Sequence, residues 1–229
     1  MKYMCLIKCH GISKEVSVGT HKKYILKDIN LDIEEAEYIA VIGHSGSGKS
    51  SLMNILGLID VPTSGYLEIC GHDSRELNDK YKSLLRNKYI GYVFQSFYLE
   101  PSYTVFQNVQ MPLLINGTDK AQRNQKVSEA LSKVGLLDKA NQLSYTLSGG
   151  EQQRVSIARA IVNSPKILLA DEPCGNLDSK NTKIIMDLLK SLNDSGKTVV
   201  LITHSPEDSK QANRHILLKD GMIVYDKNL

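Results

Sequence analysis

Gly43-His-Ser-Gly-Ser-Gly-Lys-Ser50 follows the apolar run Tyr38-Ile-Ala-Val-Ile42 and precedes the helix-compatible stretch Ser51-Leu-Met-Asn-Ile-Leu56. A buried strand that ends in a Gly-x4-Gly-Lys-Ser loop opening a helix is the arrangement that cradles phosphate. Its glycines let the backbone curl until successive N–H groups point at one anion. Lys49 adds a positive charge, and the Ser50 hydroxyl can ligate Mg²⁺. The alternative is a glycine-rich turn without chemistry, which the correct strand and helix flanks argue against. The candidate nucleotide contacts are therefore Gly43, His44, Ser45, Gly46, Ser47, Gly48, Lys49, Ser50 and the following Ser51.

Four further residues acquire meaning beside that loop. Ile167-Leu-Leu-Ala-Asp-Glu172 places two carboxylates at the C-terminal end of a buried strand, where ligands of open α/β sheets bind. Asp171 can hold Mg²⁺ through water, and Glu172 can polarise a water that attacks a γ-phosphate. Taken alone, an Asp-Glu pair is more often the solvated start of a loop. His204 ends a second apolar strand, Thr198 to Thr203, and is carried to the same sheet edge, where a polar contact to the γ-phosphate is expected rather than a structural histidine. Gln95, after Tyr92-Val-Phe94, ends another strand and could touch Mg²⁺ or the attacking water, although by itself it is uninformative.

The surrounding chain bounds the class. A length of 229 residues supports one sizeable α/β domain, 1–229, with an inserted subdomain but not two full domains, so a second catalytic copy has to come from another chain. Hydrophobic residues at 41% and charged residues at 23% argue against disorder and against a membrane-embedded body. The longest apolar runs are strand-length, far below the roughly 18 residues of a membrane span. Any membrane role therefore needs a partner. The N-terminal Met1-Lys-Tyr-Met-Cys-Leu-Ile-Lys-Cys9 is too short and too interrupted by lysine for a secretory signal, which places the expected location in the cytoplasm. A net charge of +3 without a basic run points to no nucleic-acid partner. Cys5, Cys9, Cys70 and Cys174 lack paired zinc spacing and are expected to be reduced thiols.

Secondary-structure signals divide the chain in three. Short β-rich runs at Met4 to Cys9, Ile25 to Ile33, Tyr38 to Ile42 and Tyr66 to Cys70 surround a helix beginning near Gly48. From about Phe97 to Pro165 the strand signals fade, and Val127, Ala130, Leu131 and Val134 keep helical spacing after a start at Thr118 or Asp119. From Lys166 the pattern returns to strand, helix (Ser179 to Asn193) and strand, without polar alternation, as in a buried parallel sheet.

Leu147-Ser-Gly-Gly-Glu151, followed by Gln152-Gln-Arg-Val-Ser-Ile-Ala-Arg-Ala160, is a glycine-rich helix start with bare N–H donors, hence either an anion site or a simple cap. At this segment the sequence resembles the ABC ATPase family, and the resemblance covers almost the whole chain. The family's order is matched: phosphate loop (Gly43 to Ser50), glutamine loop (Gln95), signature (Leu147 to Glu151), acidic strand end (Asp171, Glu172), connecting loop (Gly175 to Asp178) and switch histidine (His204).

The resemblance implies an α/β P-loop NTPase: a RecA-like core with a mostly parallel sheet, an antiparallel β patch and an inserted helical subdomain over 97–165. It also implies a head-to-tail dimer with a second such domain, expected to be a homodimer. There Ser148, Gly149, Gly150 and Glu151 of one chain would face the γ-phosphate held by Lys49 of the other. ATP with Mg²⁺ would act as interfacial glue, and a multi-span membrane permease would be the partner. Its metal set would be Ser50, Gln95 and Asp171.

Three positions depart from the family. Val16 stands where an aromatic platform for adenine is usual, with Tyr24 nearby, and loss of stacking could weaken binding by roughly 1 to 3 kcal/mol. Ala36 replaces a common turn glycine, which puts a positive φ there in doubt. Cys174 replaces a common threonine. Tyr98-Leu-Glu-Pro-Ser-Tyr-Thr-Val105 and Asn108-Val-Gln-Met-Pro-Leu113 resemble the branch of macrolide and peptide exporters and lipoprotein-release ATPases. Amino-acid importers, a cell-division ATPase and ABC proteins of translation or DNA maintenance are the alternatives. The last two carry paired domains, coiled coils or zinc modules that this chain lacks.

Overall fold

The computed structural model describes residues 5–19 and 21–228. The expected first strand begins at Met4, just outside them. From Cys5 it runs much further than its short apolar signal: β1 (Cys5–Val18) and β2 (His21–Glu34) form a long antiparallel ribbon whose register shifts repeatedly at bulges. β4 (Ser64–Ile69) and β5 (His72–Asp73) complete a four-stranded sheet in the order β2-β1-β4-β5.

A six-stranded sheet holds β3 (Tyr38–Ile42), β6 (Ile90–Phe94), β7 (Ile167–Asp171), β8 (Thr198–Ile202), β9 (Arg214–Lys219) and β10 (Met222–Asn228), in the order β10-β9-β3-β8-β7-β6. All its pairings are parallel except β9 with β10. Strand alternation sorts the core into two layers. Ile39, Val41, Ile167, Leu169, Val200 and Ile202 pack with α1 (Lys49–Leu56) beneath the antiparallel sheet. Ala40, Leu168, Ala170, Val199 and Leu201 face α5 (Gly149–Ile161) and α6 (Ser179–Asp194) on the opposite side.

Helices α3 (Val105–Ile115), α4 (Lys120–Lys133) and α5 fill the region where strand signals fade. Asp119 starts α4 by accepting from the N–H groups of Ala121 and Gln122, and Val127, Ala130 and Leu131 form its buried face. Asp178 caps α6 in the same way, through Asn181 N at 2.8 Å. The short α2 (Asp79–Tyr89), which buries only Leu85, and the β9–β10 hairpin carry too weak a pattern to be found from sequence.

The doubt about Ala36 is corrected: alanine keeps a positive φ of 64°. The Ala36 N–H donates to Thr198 Oγ1 at 2.8 Å, and the Ala36 carbonyl accepts from Asn193 Nδ2 at 2.9 Å. Bonds on both sides of the residue hold the left-handed turn that glycine would adopt without them.

Candidate active site

The end of β3 delivers the phosphate loop, and α1 begins at Lys49 with Gly48 as its N-cap at φ 106° and no side-chain cap. The first N–H groups of the helix are thus claimed by no capping side chain. A Cβ on Gly48 would lie 2.9 Å from the Ile25 carbonyl, because β2 presses directly on the loop. Lys49 is only 7% exposed, and its ammonium donates to the carbonyls of Gly43 at 2.8 Å and His44 at 2.9 Å. Among the described residues no carboxylate lies within ion-pair distance of it. The nearby Ser47 hydroxyl is buried and unpartnered. A buried cation held by carbonyl oxygens alone, beside an orphaned hydroxyl, is a site that an anion completes.

Across the cleft, the pairing of Asp171 with Ile202 brings the ends of β7 and β8 level, so that Glu172 and His204 emerge together. Glu172 leaves its strand with φ 45°, fixed by its N–H donating to the Ile202 carbonyl at 2.9 Å. This left-handed step aims the carboxylate at His204, whose Nδ1 lies 2.6 Å from Glu172 Oε2. Ser50 lies close enough to Asp171 for its hydroxyl to favour the ionised carboxylate. Burial pushes the Asp171 carboxyl above its ordinary value, against the pull of that hydroxyl, and the charge of Glu172 adds to the rise. Ser50 and Asp171 are hard oxygen donors. No cluster of three or more His, Cys, Asp or Glu residues of metal-binding geometry occurs among the described residues. That donor set suits a cation such as Mg²⁺, which keeps much of its water and shares substrate oxygens, better than a metal needing an all-protein cage.

The cleft of about 1190 Å³ is lined by the phosphate loop, Glu172 and His204, with Ile25, Lys210, His215 and Leu217 along its wall. These wall residues carry no motif. Strand register alone brings His215 and Leu217 there, opposite Ala40 and Ile42 of β3. Val16 does not join them: it lies on β1 opposite Lys23, outside the residues that line the cleft, and Ile25 takes the place beside the loop. Gln95 is also outside the lining, its side chain lying against Gly175.

Ser148, Gly149, Gly150 and Glu151 start α5 away from this cleft, with Ser148 and Gly149 exposed. The helix start is a capping box: Ser148 N donates to Glu151 Oε2 at 2.9 Å, and Glu151 N to Ser148 Oγ. Asp178 is exposed at the start of α6, and Asn181 closes on Gly150, where an added Cβ would lie 2.1 Å from Asn181 Oδ1. The chain thus presents one cleft suited to an anion and, away from it, the exposed and capped helix start at Ser148.

A second depression, of about 680 Å³, opens between β6, α3 and α5. Ile59, Tyr98 and Ile115 on its rim are 50%, 68% and 72% exposed. No helix among the described residues is long and apolar enough to cross a membrane.

Comparison with known proteins gives the same picture. The ABC transporter family model matches residues 26–175. The lipoprotein-releasing system ATP-binding protein LolD of Aquifex aeolicus is 46% identical over 200 residues, 87% of this chain and 89% of that protein. The macrolide export ATP-binding/permease protein MacB of Bdellovibrio bacteriovorus is 44% identical over 228 residues, which cover 98% of this chain and 34% of that protein. Among solved structures, the dimeric post-hydrolysis state of the ATP-binding cassette MJ0796 bound to ADP and Pi superposes with a TM-score of 0.90 at 40% identity, covering 98% of this chain and 99% of that one.

Proposed function

The chain belongs to the ABC transporter family as an ATP-binding, ATP-hydrolysing cassette, and on that premise we propose that it works as a head-to-tail dimer driving a membrane permease, in the export of peptides, antibiotics or lipoproteins. The observation that carries this reading is the buried Lys49 ammonium, without a carboxylate partner among the described residues, facing Glu172 and His204 across the cleft while the Ser148 helix start lies exposed elsewhere. A separate exposed half-site is what a second copy needs in order to close the first.

In this reading residues 43–51 bind the phosphates, Lys49 balances their charge, and Glu172 takes the proton of the attacking water, with His204 fixing the carboxylate's direction. Ser50 and Asp171 would hold Mg²⁺, which supplies charge neutralisation of the phosphate oxygens. Gln95 would reach the metal or the water only after turning from Gly175. Ser148, Gly149 and Gly150 complete the site from the second chain, and Asp178 lies at that junction. Residues 97–165 form the inserted helical subdomain that carries them. The apolar depression beside Tyr98 and Ile115 would seat a cytoplasmic segment of the permease. MacB, which joins both functions in one chain, supports such a partner, and the protein would then sit at the cytoplasmic face of the plasma membrane.

Replacing Glu172 by Gln should lower turnover by roughly 10² to 10⁴, the usual range for a general base, while ATP binding persists and the dimer accumulates. Wild-type turnover in that variant would remove Glu172 from its role. Affinity purification from membranes should recover a multi-span membrane protein. Recovery with ribosomes or DNA instead would end the transport reading.

A further inference from the structure

Glu151 poses a problem for the site just described. A helix start that is to receive a phosphate carries a carboxylate in its own first turn, three residues after Ser148. A negative charge there stabilises the isolated helix but repels an incoming anion. The structure contains a counterweight: Lys139, on a separate one-turn 3-10 segment (Leu137–Lys139), donates through Nζ to Glu151 Oε1. That turn is anchored, since Leu136 before it is buried, Lys139 N donates to the Leu136 carbonyl and Gln142 N to the Lys139 carbonyl.

The other oxygen, Oε2, accepts from both the backbone N–H and the hydroxyl of Ser148, each at 2.9 Å. Lys139 therefore grips one edge of the carboxylate while the other edge fixes Ser148. The side chains are partly shielded, at 29% and 19% exposure, and the lysine is the first cause of a Glu151 carboxyl held far below its ordinary value, at about 2.

We propose that Lys139 is a positioning residue for the signature: by neutralising Glu151 and holding it in the capping box, it keeps the Ser148 helix start attractive to the γ-phosphate bound by another copy of the chain. Lys139 touches neither substrate nor reacting atoms, and it acts only through Glu151. The inference rests on the proposed role of Ser148 in trans.

The test is ATP-dependent dimerisation of full-length protein by sedimentation, in the Glu172→Gln background so that ATP persists. Variants Lys139→Met, Lys139→Arg, Glu151→Gln and Lys139→Met/Glu151→Gln are compared. Lys139→Met should weaken the ATP-bound dimer roughly tenfold, the scale of one charge near a helix terminus. ATP affinity of the dilute monomer should stay unchanged, and Lys139→Arg should restore the dimer. In the Glu151→Gln background the lysine has no charge to offset, so Lys139→Met should have less than a twofold further effect. A purely structural lysine would weaken both backgrounds alike.

Equal dimerisation with and without Lys139, or an equal loss in both backgrounds, overturns the proposal. Should Lys139→Met lower the melting temperature, the comparison between the two Glu151→Gln proteins still decides. If Glu172→Gln itself forms no dimer with ATP, the trans reading fails first, which distinguishes the two failures.

Discussion

The phosphate loop and the signature are both glycine-bearing starts of helices, yet they are built differently. Gly48 leaves α1 without a side-chain cap, and the loop sits in a cleft beneath β2, with Lys49 buried and Ser47 unpartnered. Ser148 caps α5 fully, with Glu151 reciprocating and Lys139 behind, and it faces solvent. The first site is poor in internal partners and so holds an anion by itself. The second is satisfied locally and exposed, so it gains little from free nucleotide and acts only when another surface brings a phosphate to it.

The strongest way to break this contrast is to damage one region and watch the other. Ser148→Arg should weaken the ATP-bound dimer by roughly two orders of magnitude, as expected when a central interface position becomes a clash. ATP affinity of the isolated chain, measured by equilibrium titration, should not change. A matching loss of monomer affinity would show that the two regions form one site in cis.

A smaller effect sharpens the account of the first region. Ile25 lines the cleft and Val16 does not. Ile25→Ala should therefore weaken ATP binding about fivefold, corresponding to roughly 1 kcal/mol of lost apolar contact. Val16→Ala should leave it within a factor of two. The reverse order would return Val16 to the adenine side of the site.

The smallest expected effect concerns the second region and its stability. Glu151 has a folded value of about 2, below its ordinary 4.5. Its stabilising contribution is complete above the ordinary value and is lost as pH falls through the interval toward 2. Lys139→Met should accordingly show a lower melting temperature than wild type at pH 6 to 7, with the gap closing as pH drops below 4. A gap independent of pH would mean that the lysine acts through packing rather than charge.

Much of this was legible in the sequence because the decisive residues act locally. The phosphate loop declares itself through its own glycines, and Asp119 announces the helix it caps. What local pattern did not reveal is set by tertiary pairing. Ala36 keeps its left-handed turn through Thr198 and Asn193, more than 150 residues away. His215 and Leu217 reach the cleft by pairing of β9 with β3. Val16 stands at a family position and pairs with Lys23 on the bulged β1–β2 ribbon, while Ile25 lines the cleft beside the loop without any motif to announce it. Lys139 carries no motif, since its meaning comes only from contact with Glu151.

The central claim, that the Lys49 cleft is completed by the Ser148 helix start of another chain, is tested most directly by the specific ATPase rate as a function of protein concentration at saturating ATP. The account predicts that the rate per chain rises with concentration, from near zero in dilute monomer to a plateau as dimers form. A rate per chain that stays constant on dilution, while sedimentation shows monomers with ATP bound, would contradict it.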